Sequence, residues 1–217
     1  MSNLFHPIDI YCERTSQTLL AEPLNALTNL AFIVAAIYLA KLLCKQEKQD
    51  WFLWWLTFMV GVIGLGSTAF HTVANRLTMW MDIIPIAIFL LSYIWVFART
   101  IGRQSRIMAA AWLGLFLLLG YGVGHLPEAW QFNGTIHYSP ALIYLLAMAI
   151  ITHRKRLLEV TAYLRLAITT FLLSMTMRSV DMISCEWLPI GTHFLWHVCN
   201  GLVLYFVVKA LIVHRYD

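Results

Sequence analysis

Long apolar runs alternate with short polar connections along the whole chain. Three of these runs, at residues 51–70, 107–127 and 187–208, contain no Asp, Glu, Lys or Arg. Each is close to the roughly 20 residues that a helix needs to cross a bilayer. The pattern predicts seven membrane-spanning helices, at about residues 23–42, 51–71, 79–98, 107–124, 138–152, 161–178 and 193–212.

Composition supports a membrane protein. The 217 residues are 60% hydrophobic and 12% charged, about half the charged fraction that is typical of soluble domains. The polar connections are too short to bury a core of their own. We therefore predict an all-α fold, a seven-transmembrane helix bundle that forms a single domain over residues 1–217. Residues 1–22 are expected to be an extramembrane segment that packs on the outer face.

The Lys and Arg residues predict the orientation of this bundle. With seven spans, 12 of the 15 basic residues fall on one side of the membrane, and only Arg14, Arg76 and Arg178 fall on the other. Basic residues concentrate on the cytoplasmic side of membrane proteins. The N-terminus is therefore predicted outside and the C-terminus inside. The short loops favour a multi-pass protein of a bacterial inner membrane, although an ER or Golgi membrane also fits.

Five polar residues are predicted to lie at similar depth near the outer ends of three helices. The second span runs outward and ends with Ser67 and His71. The third runs inward and carries Asp82 near its start, and the seventh begins with His193 and His197. Polar residues within membrane helices are costly and are usually functional. The set is therefore a candidate site.

The residue types in this set suit a zinc centre. Histidines four apart share one helical face, and a third histidine from another helix completes a three-imidazole set. Zinc in such a site activates a water molecule and polarises carbonyls. Asp82 could accept the proton of that water or orient a histidine, and Ser67 could donate to a developing oxyanion. A haem with two axial histidines is the competing cofactor, but it leaves the third histidine and Asp82 unexplained.

The motifs around these residues resemble those of a known family. "GSTAFH" is followed eleven residues later by Asp82 in "MDIIP", and "HFLWH" opens the last helix. "YCER", "AEPLNALTN" and "SVDMISCEW" accompany them in the same order. Over the whole chain this arrangement resembles the alkaline ceramidases. They belong to a seven-helix hydrolase superfamily that also includes adiponectin-receptor-like proteins.

The resemblance implies a zinc-dependent intramembrane amidase. Its zinc ligands would be His71, His193 and His197, with Asp82 as the general base and Ser67 stabilising the oxyanion. The expected reaction is hydrolysis of the N-acyl amide of ceramide, a membrane lipid, to a sphingoid base and a fatty acid. Neither a nucleic acid nor a protein partner is implied.

The resemblance also implies a second metal site, for calcium. Carboxylate and amide oxygens are the ligands that calcium prefers. The candidate ligands before and at the start of the first helix are Asp9, Glu13, Glu22 and Asn25. This chain departs from the family pattern, since Ile10 and Tyr11 stand where the animal enzymes carry Asp and Trp. The alternative is a solvated acidic segment with Glu22 as a favourable charge at a helix N-terminus.

Two further pairs are expected near the outer face. The resemblance suggests a disulfide between Cys12 and Cys185, with four free thiols as the alternative. Arg178 and Asp181 are predicted to have a structural role, pairing with each other or with the site. Arg178 is also expected to extend toward the outer interface from the end of the sixth span.

Other functions remain open from the sequence. An adiponectin-receptor-like protein that binds lipids and signals would carry a similar site. An amidase for a different N-acyl lipid would present its amide at the same depth. A proton- or ion-coupled transporter is a third class, but transporters usually place their polar residues near the middle of the membrane.

Overall fold

The computed structural model describes residues 4–216, and within them the protein is a bundle of α-helices. The helices are α1 (Pro23–Thr28), α2 (Leu30–Cys44), α3 (Trp51–Val73), α4 (Arg76–Arg99), α5 (Arg106–Gly124), α6 (Ser139–Arg154), α7 (Leu158–Ser184) and α8 (His193–Tyr216). Two 3-10 turns, Glu128–Trp130 and Thr135–Tyr138, connect α5 to α6. Counting α1 and α2 as one span, seven helical segments among these residues are long and apolar enough to cross a membrane. The prediction of seven spans is confirmed, and the orientation of the termini stays a prediction.

The spans form a closed ring of neighbours in chain order, from α2 through α7 to α8, which returns to α2. Helices α3 and α8 also contact each other and α1, so they lie closest to the centre of the end where the site forms. Helix α5 is the most peripheral, with Ala109 as its one buried residue. This arrangement puts the two helices that carry the histidines side by side.

Small residues allow the closest helix contacts at this end. A Cβ atom added at Gly66 of α3 would overlap the backbone carbonyl of Met81 in α4. One added at Gly201 of α8 would lie 2.9 Å from the backbone and Cβ of Ala31. Small residues at such positions let helix backbones approach and pack in membranes. As a result, Ser67, next to Gly66, faces the turn of α4 that contains Asp82.

The segment before α1 lies across the connection between α3 and α4. Backbone hydrogen bonds run from the Ile8 amide to the Ala74 carbonyl at 2.8 Å and from the Leu20 amide to the Thr72 carbonyl at 3.1 Å. The Leu77 amide donates to the Leu4 carbonyl at 3.0 Å. These bonds hold the polar N-terminal segment on the end of the bundle where α3 terminates.

Helix α7 is longer than the sequence pattern predicted. The expected sixth span stopped at Arg178, but the helix continues to Ser184. The reason is Asp181, which is fully buried and accepts three backbone hydrogen bonds from other segments, so its charge does not end the helix. The expectation that Arg178 sits at the helix end was therefore wrong: it lies inside α7, more than one turn before the end.

Candidate metal centre

Three buried histidines meet where α3 and α8 pack together. His71 comes from the last turn of α3, and His193 and His197 come from the first two turns of α8. One ring nitrogen from each lies within 4.8 Å of the others. The His197 ring centroid is 4.6 Å from that of His71 and 4.6 Å from that of His193. Three imidazoles so close together are a donor set that could hold a metal ion.

The second nitrogen of two rings is already occupied. Nδ1 of His71 lies 2.5 Å from Oε2 of Glu22, and Nδ1 of His197 lies 3.1 Å from the hydroxyl of Thr28. The Glu22 carboxylate can only accept, and the Thr28 hydroxyl already donates to the Leu24 carbonyl at 2.9 Å, so Nδ1 of both rings donates and Nε2 is free to bind a metal. These partners therefore prepare His71 and His197 to act as ligands.

The third ring, His193, has an unpaired buried nitrogen. Its Nδ1 is buried and has no hydrogen-bond partner in the protein. The ring stacks on Tyr11 with the centroids 3.7 Å apart and the planes 19° apart. An unpaired buried polar atom costs free energy, and a metal–nitrogen bond removes that cost. The donor set as a whole fits zinc, which prefers neutral imidazoles.

Glu22 connects the histidines to a buried arginine. Its Oε1 accepts a hydrogen bond from Nε of Arg14 at 2.5 Å, and its Oε2 accepts one from the side-chain amide of Asn25 at 3.1 Å. Burial acts to raise the pKa of this carboxyl, but the hydrogen bond and charge of His71 and the bonds from Arg14 and Asn25 outweigh it, so the pKa is lowered. Glu22 is therefore a carboxylate that orients His71.

The predicted catalytic residues lie beside the histidines. Ser67 is one turn before His71 on α3, and its neighbour Gly66 packs against the backbone of Met81 and Asp82 in α4. Ser67 and Asp82 line a cavity of about 110 Å³ together with His193 and His197. Apolar side chains make up most of its remaining wall, including Ile63, Ile86, Phe89, Leu90, Phe116, Met148 and Phe171. The cavity thus joins a polar end to a deep apolar interior.

A comparison with protein families agrees with this geometry. The family model described as Ceramidase matches residues 8–217. The chain belongs to this family. No curated protein sequence matches the chain significantly. Membership of the ceramidase family indicates a hydrolase that acts on the amide bond of a lipid held in the membrane.

Three of the four predicted calcium ligands, Glu13, Glu22 and Asn25, have hydrogen-bond partners within the protein. Glu13 accepts backbone hydrogen bonds from Leu24 at 2.7 Å and Asn25 at 2.8 Å, and so caps α1, while Glu22 is paired as described above. Asp9 is exposed. Among residues 4–216, the three histidines are the only group of three or more His, Cys, Asp or Glu side chains that could hold a metal. Calcium gains no support here and stays a prediction from the resemblance.

Asp181 fixes the start of α8. Its Oδ1 accepts the backbone amides of Thr192 at 2.7 Å and His193 at 2.9 Å, and its Oδ2 accepts that of Cys12 at 3.2 Å. Gly191 has φ +62°, and a Cβ there would overlap the Asp181 carboxylate. A carboxylate at a helix N-terminus is favourable. The structural role of Asp181 was predicted from the sequence. Its hydrogen bonds hold the backbone of His193, the first metal-ligand candidate of α8, in place.

A disulfide ties the N-terminal segment to α7. Cys12 and Cys185 are bonded, with their Cα atoms 5.4 Å apart, as the resemblance suggested. Tyr11 is consequently held over His193, and burial raises the pKa of the Tyr11 hydroxyl above its usual value. Cys44 and Cys199 are free.

Arg178 does not pair with Asp181. Its guanidinium donates to the Tyr11 hydroxyl from Nη1 at 2.8 Å. In the part of the chain that the structure describes, Arg178 makes no ion pair with an acidic side chain within 4.0 Å. It lines the cavity that holds Asp82 and His193. The suggested Arg178–Asp181 pair is therefore wrong, because the buried Asp181 is committed to backbone amides.

Several residues of the site were not predicted from the sequence. Thr28 and Tyr11 contact His197 and His193, and Arg14 holds Glu22. All three lie inside the motifs "YCER" and "AEPLNALTN" that carry the family resemblance, but nothing in those motifs indicates which site residue each would contact.

Proposed function

We propose that the protein is a zinc-dependent intramembrane amidase that hydrolyses the N-acyl amide of ceramide to a sphingoid base and a fatty acid. The observation that carries the proposal is the meeting of three buried histidines with Asp82 and Ser67 at the polar end of an apolar cavity. Membership of the ceramidase family supports the substrate class.

The three histidines would hold the metal. His71, His193 and His197 each offer one imidazole nitrogen, and Glu22 and Thr28 keep two of the rings in the tautomer that leaves Nε2 free. When bound, zinc supplies an acidified water molecule and polarises the amide carbonyl. With three protein ligands the metal would retain room for a water molecule, as in catalytic zinc sites.

Asp82 is proposed as the general base. Its carboxylate accepts the proton that the attacking water loses, and then delivers a proton to the leaving amine nitrogen. Ser67 lines the cavity beside this carboxylate, where its hydroxyl could donate to Asp82 and orient it for proton transfer. When the substrate carbonyl enters, the same hydroxyl donates to the oxygen on which negative charge develops.

The cavity wall would hold the lipid chains. The Phe, Ile, Leu and Met side chains below the histidines offer apolar surface to the acyl chain and exclude water from it. Burial of each methylene contributes about 0.8 kcal/mol. A long-chain amide is therefore anchored with its polar bond at the histidine end.

The first test is the release of fatty acid from a panel of ceramides by purified protein in detergent. His197→Ala is expected to lose bound zinc and all turnover, whereas His125→Ala, at an exposed histidine outside the cavity, should retain both. Zinc retained at full stoichiometry by His197→Ala would refute the ligand assignment. Wild-type protein that carries zinc but cleaves no ceramide would refute the proposed substrate and favour a receptor.

Asp82→Asn separates the roles of metal binding and proton transfer. Removing the base should abolish turnover while the zinc content stays at the wild-type level, because Asp82 is not among the ligand candidates. Turnover within a few-fold of wild type would reduce Asp82 to a structural residue.

A further inference from the structure

Arg178 is a partly buried cation whose guanidinium has hydrogen-bond donors without partners in the protein. Its Nε is buried and has no hydrogen-bond partner. A guanidinium has five N–H donors, and the side-chain bond observed here is the one from Nη1 to the Tyr11 hydroxyl. A phenol is neutral near pH 7, so Tyr11 does not balance the charge. Among residues 4–216, no acidic side chain lies within ion-pairing distance of Arg178.

Aromatic rings stabilise this charge without using its donors. The guanidinium carbon lies 5.5 Å from the ring centroid of Tyr11, 5.6 Å from that of Tyr138 and 5.3 Å from that of Trp196. Cation–π contacts of this kind stabilise an arginine that has lost part of its hydration. They hold the guanidinium in place, but they leave the N–H fork available to a ligand.

The position of Arg178 connects it to the candidate site. It lines the same cavity as Asp82 and His193, and the Tyr11 ring contacts both Arg178 and His193. On another side, the Asn133 amide donates to the Arg178 carbonyl at 3.1 Å, and Gly134 packs near its Nη2. The loop before α6 thus packs on Arg178, and the cavity is where a ligand can reach it.

A carboxylate is the group that best satisfies a guanidinium. The planar fork donates parallel charge-assisted hydrogen bonds to both carboxylate oxygens. A neutral hydroxyl of ceramide can accept one such bond but cannot balance the charge. Because Arg178 lies beside the histidines rather than among them, the carboxylate it binds is separate from the amide that is cleaved.

We propose that Arg178 binds a carboxylate on the amine half of the substrate, so that the enzyme also hydrolyses long-chain N-acyl amino acids. This inference rests on the proposed amidase function and extends its substrate class. Water adds across the amide: the C–N bond breaks, the hydroxyl joins the acyl carbon, and the proton goes to the nitrogen. The products are a fatty acid and a free amino acid, and no other reactant is required.

The test compares two substrates that differ only in charge, N-palmitoylglycine and its neutral carboxamide N-palmitoylglycinamide. Palmitate release gives kcat/KM for each, and ceramide serves as a third substrate. We expect wild-type protein to prefer the acid by at least about 10-fold, since one charge-assisted contact in a cavity has that effect or more. Arg178→Gln should lower this acid-to-carboxamide ratio at least about 10-fold, while kcat/KM for the carboxamide changes much less.

Arg165→Gln is the matched control, because it removes an exposed arginine from the same helix. It should keep the wild-type ratio. Arg178→Lys, which retains the charge but not the fork, should give an intermediate ratio. The zinc content and unfolding temperature of each variant show whether it is folded. The acid-to-carboxamide ratio of wild-type protein can be measured without any variant. A wild-type ratio near one therefore refutes the inference even if the variants do not fold.

Three other outcomes would overturn it. An equal loss on both substrates in Arg178→Gln would make Arg178 a structural residue. If added palmitate inhibits ceramide hydrolysis less in Arg178→Gln and the ratio is unchanged, Arg178 binds the fatty-acid product instead. Ceramide cleavage without any preference for the acid refutes only this inference, whereas zinc-loaded protein that cleaves no amide refutes the proposed function as well.

Discussion

Replacement of Glu22 by Gln tests how the histidine site is supported. The carboxylate accepts from Nε of Arg14 and contacts Nδ1 of His71, both at 2.5 Å. A carboxamide has one oxygen and one NH2 group. If the oxygen faces Arg14, the NH2 donates to Nδ1 of His71, and the neutral ring then carries its proton on Nε2 and cannot bind a metal there. If the amide is turned around, two donors face each other at Arg14.

The expected magnitudes follow from this conflict. Loss of an outer-shell partner of a metal-binding histidine typically lowers metal affinity 10–100-fold. Breaking a buried ion pair leaves an uncompensated charge and costs about 3–5 kcal/mol of stability. Because Gln preserves the volume, we expect a cost of about 3 kcal/mol in the metal-free protein and a zinc affinity lowered at least about 10-fold.

Zinc competition against a chelator and unfolding of the metal-free protein in detergent measure the two effects separately. Glu13→Gln is the control, since Glu13 caps α1 through backbone amides and has no contact with a histidine. It should cost about 1 kcal/mol and leave zinc affinity unchanged. Zinc affinity of Glu22→Gln within three-fold of wild type would refute the reasoning. If added calcium raises the zinc affinity of wild type but not that of Glu22→Gln, Glu22 acts through calcium instead.

Two further predictions concern packing around the site. Gly66→Ala should force α3 away from the Met81 carbonyl and lower turnover at least 10-fold. The control Gly114→Ala, at a position with open space around it, should be neutral or slightly stabilising. Equal activity of the two variants would show that the close approach of α3 and α4 is dispensable. Cys185→Ser should reduce stability by about 2–4 kcal/mol, because the bond to Cys12 closes a long loop. The measurement is the unfolding midpoint in detergent, which should fall. An unchanged midpoint would show that the other contacts of the N-terminal segment are enough to hold it in place.

The seven spans and the convergence of His71, His193 and His197 were predictable because both follow from patterns that can be read along the sequence. Apolar run length gives the helices, and helix direction gives the depth of each polar residue. The role of Glu22 was not predictable in this way. A carboxylate before a helix fits a calcium ligand, a helix charge or a histidine partner equally well until its neighbours are known.

Arg178 shows a different limit. Charge counting treated it as a boundary of the sixth span, because an isolated arginine is costly inside a membrane. In the folded protein, three aromatic rings from the N-terminal segment, α8 and the turn before α6 surround it. Those contacts join parts of the chain that are far apart in sequence, so no local sequence pattern predicts them.

All three histidine rings are contacted by residues of the N-terminal segment and α1, which has a consequence for when the metal can bind during synthesis. Tyr11 stacks on His193, Glu22 bonds His71 and Thr28 bonds His197, so every ring depends on the first 28 residues of the chain. Two of the histidines lie in the last helix, which is synthesised last. A nascent chain that has not inserted α8 therefore has no complete ligand set, and metal acquisition is expected only after α8 has entered the membrane.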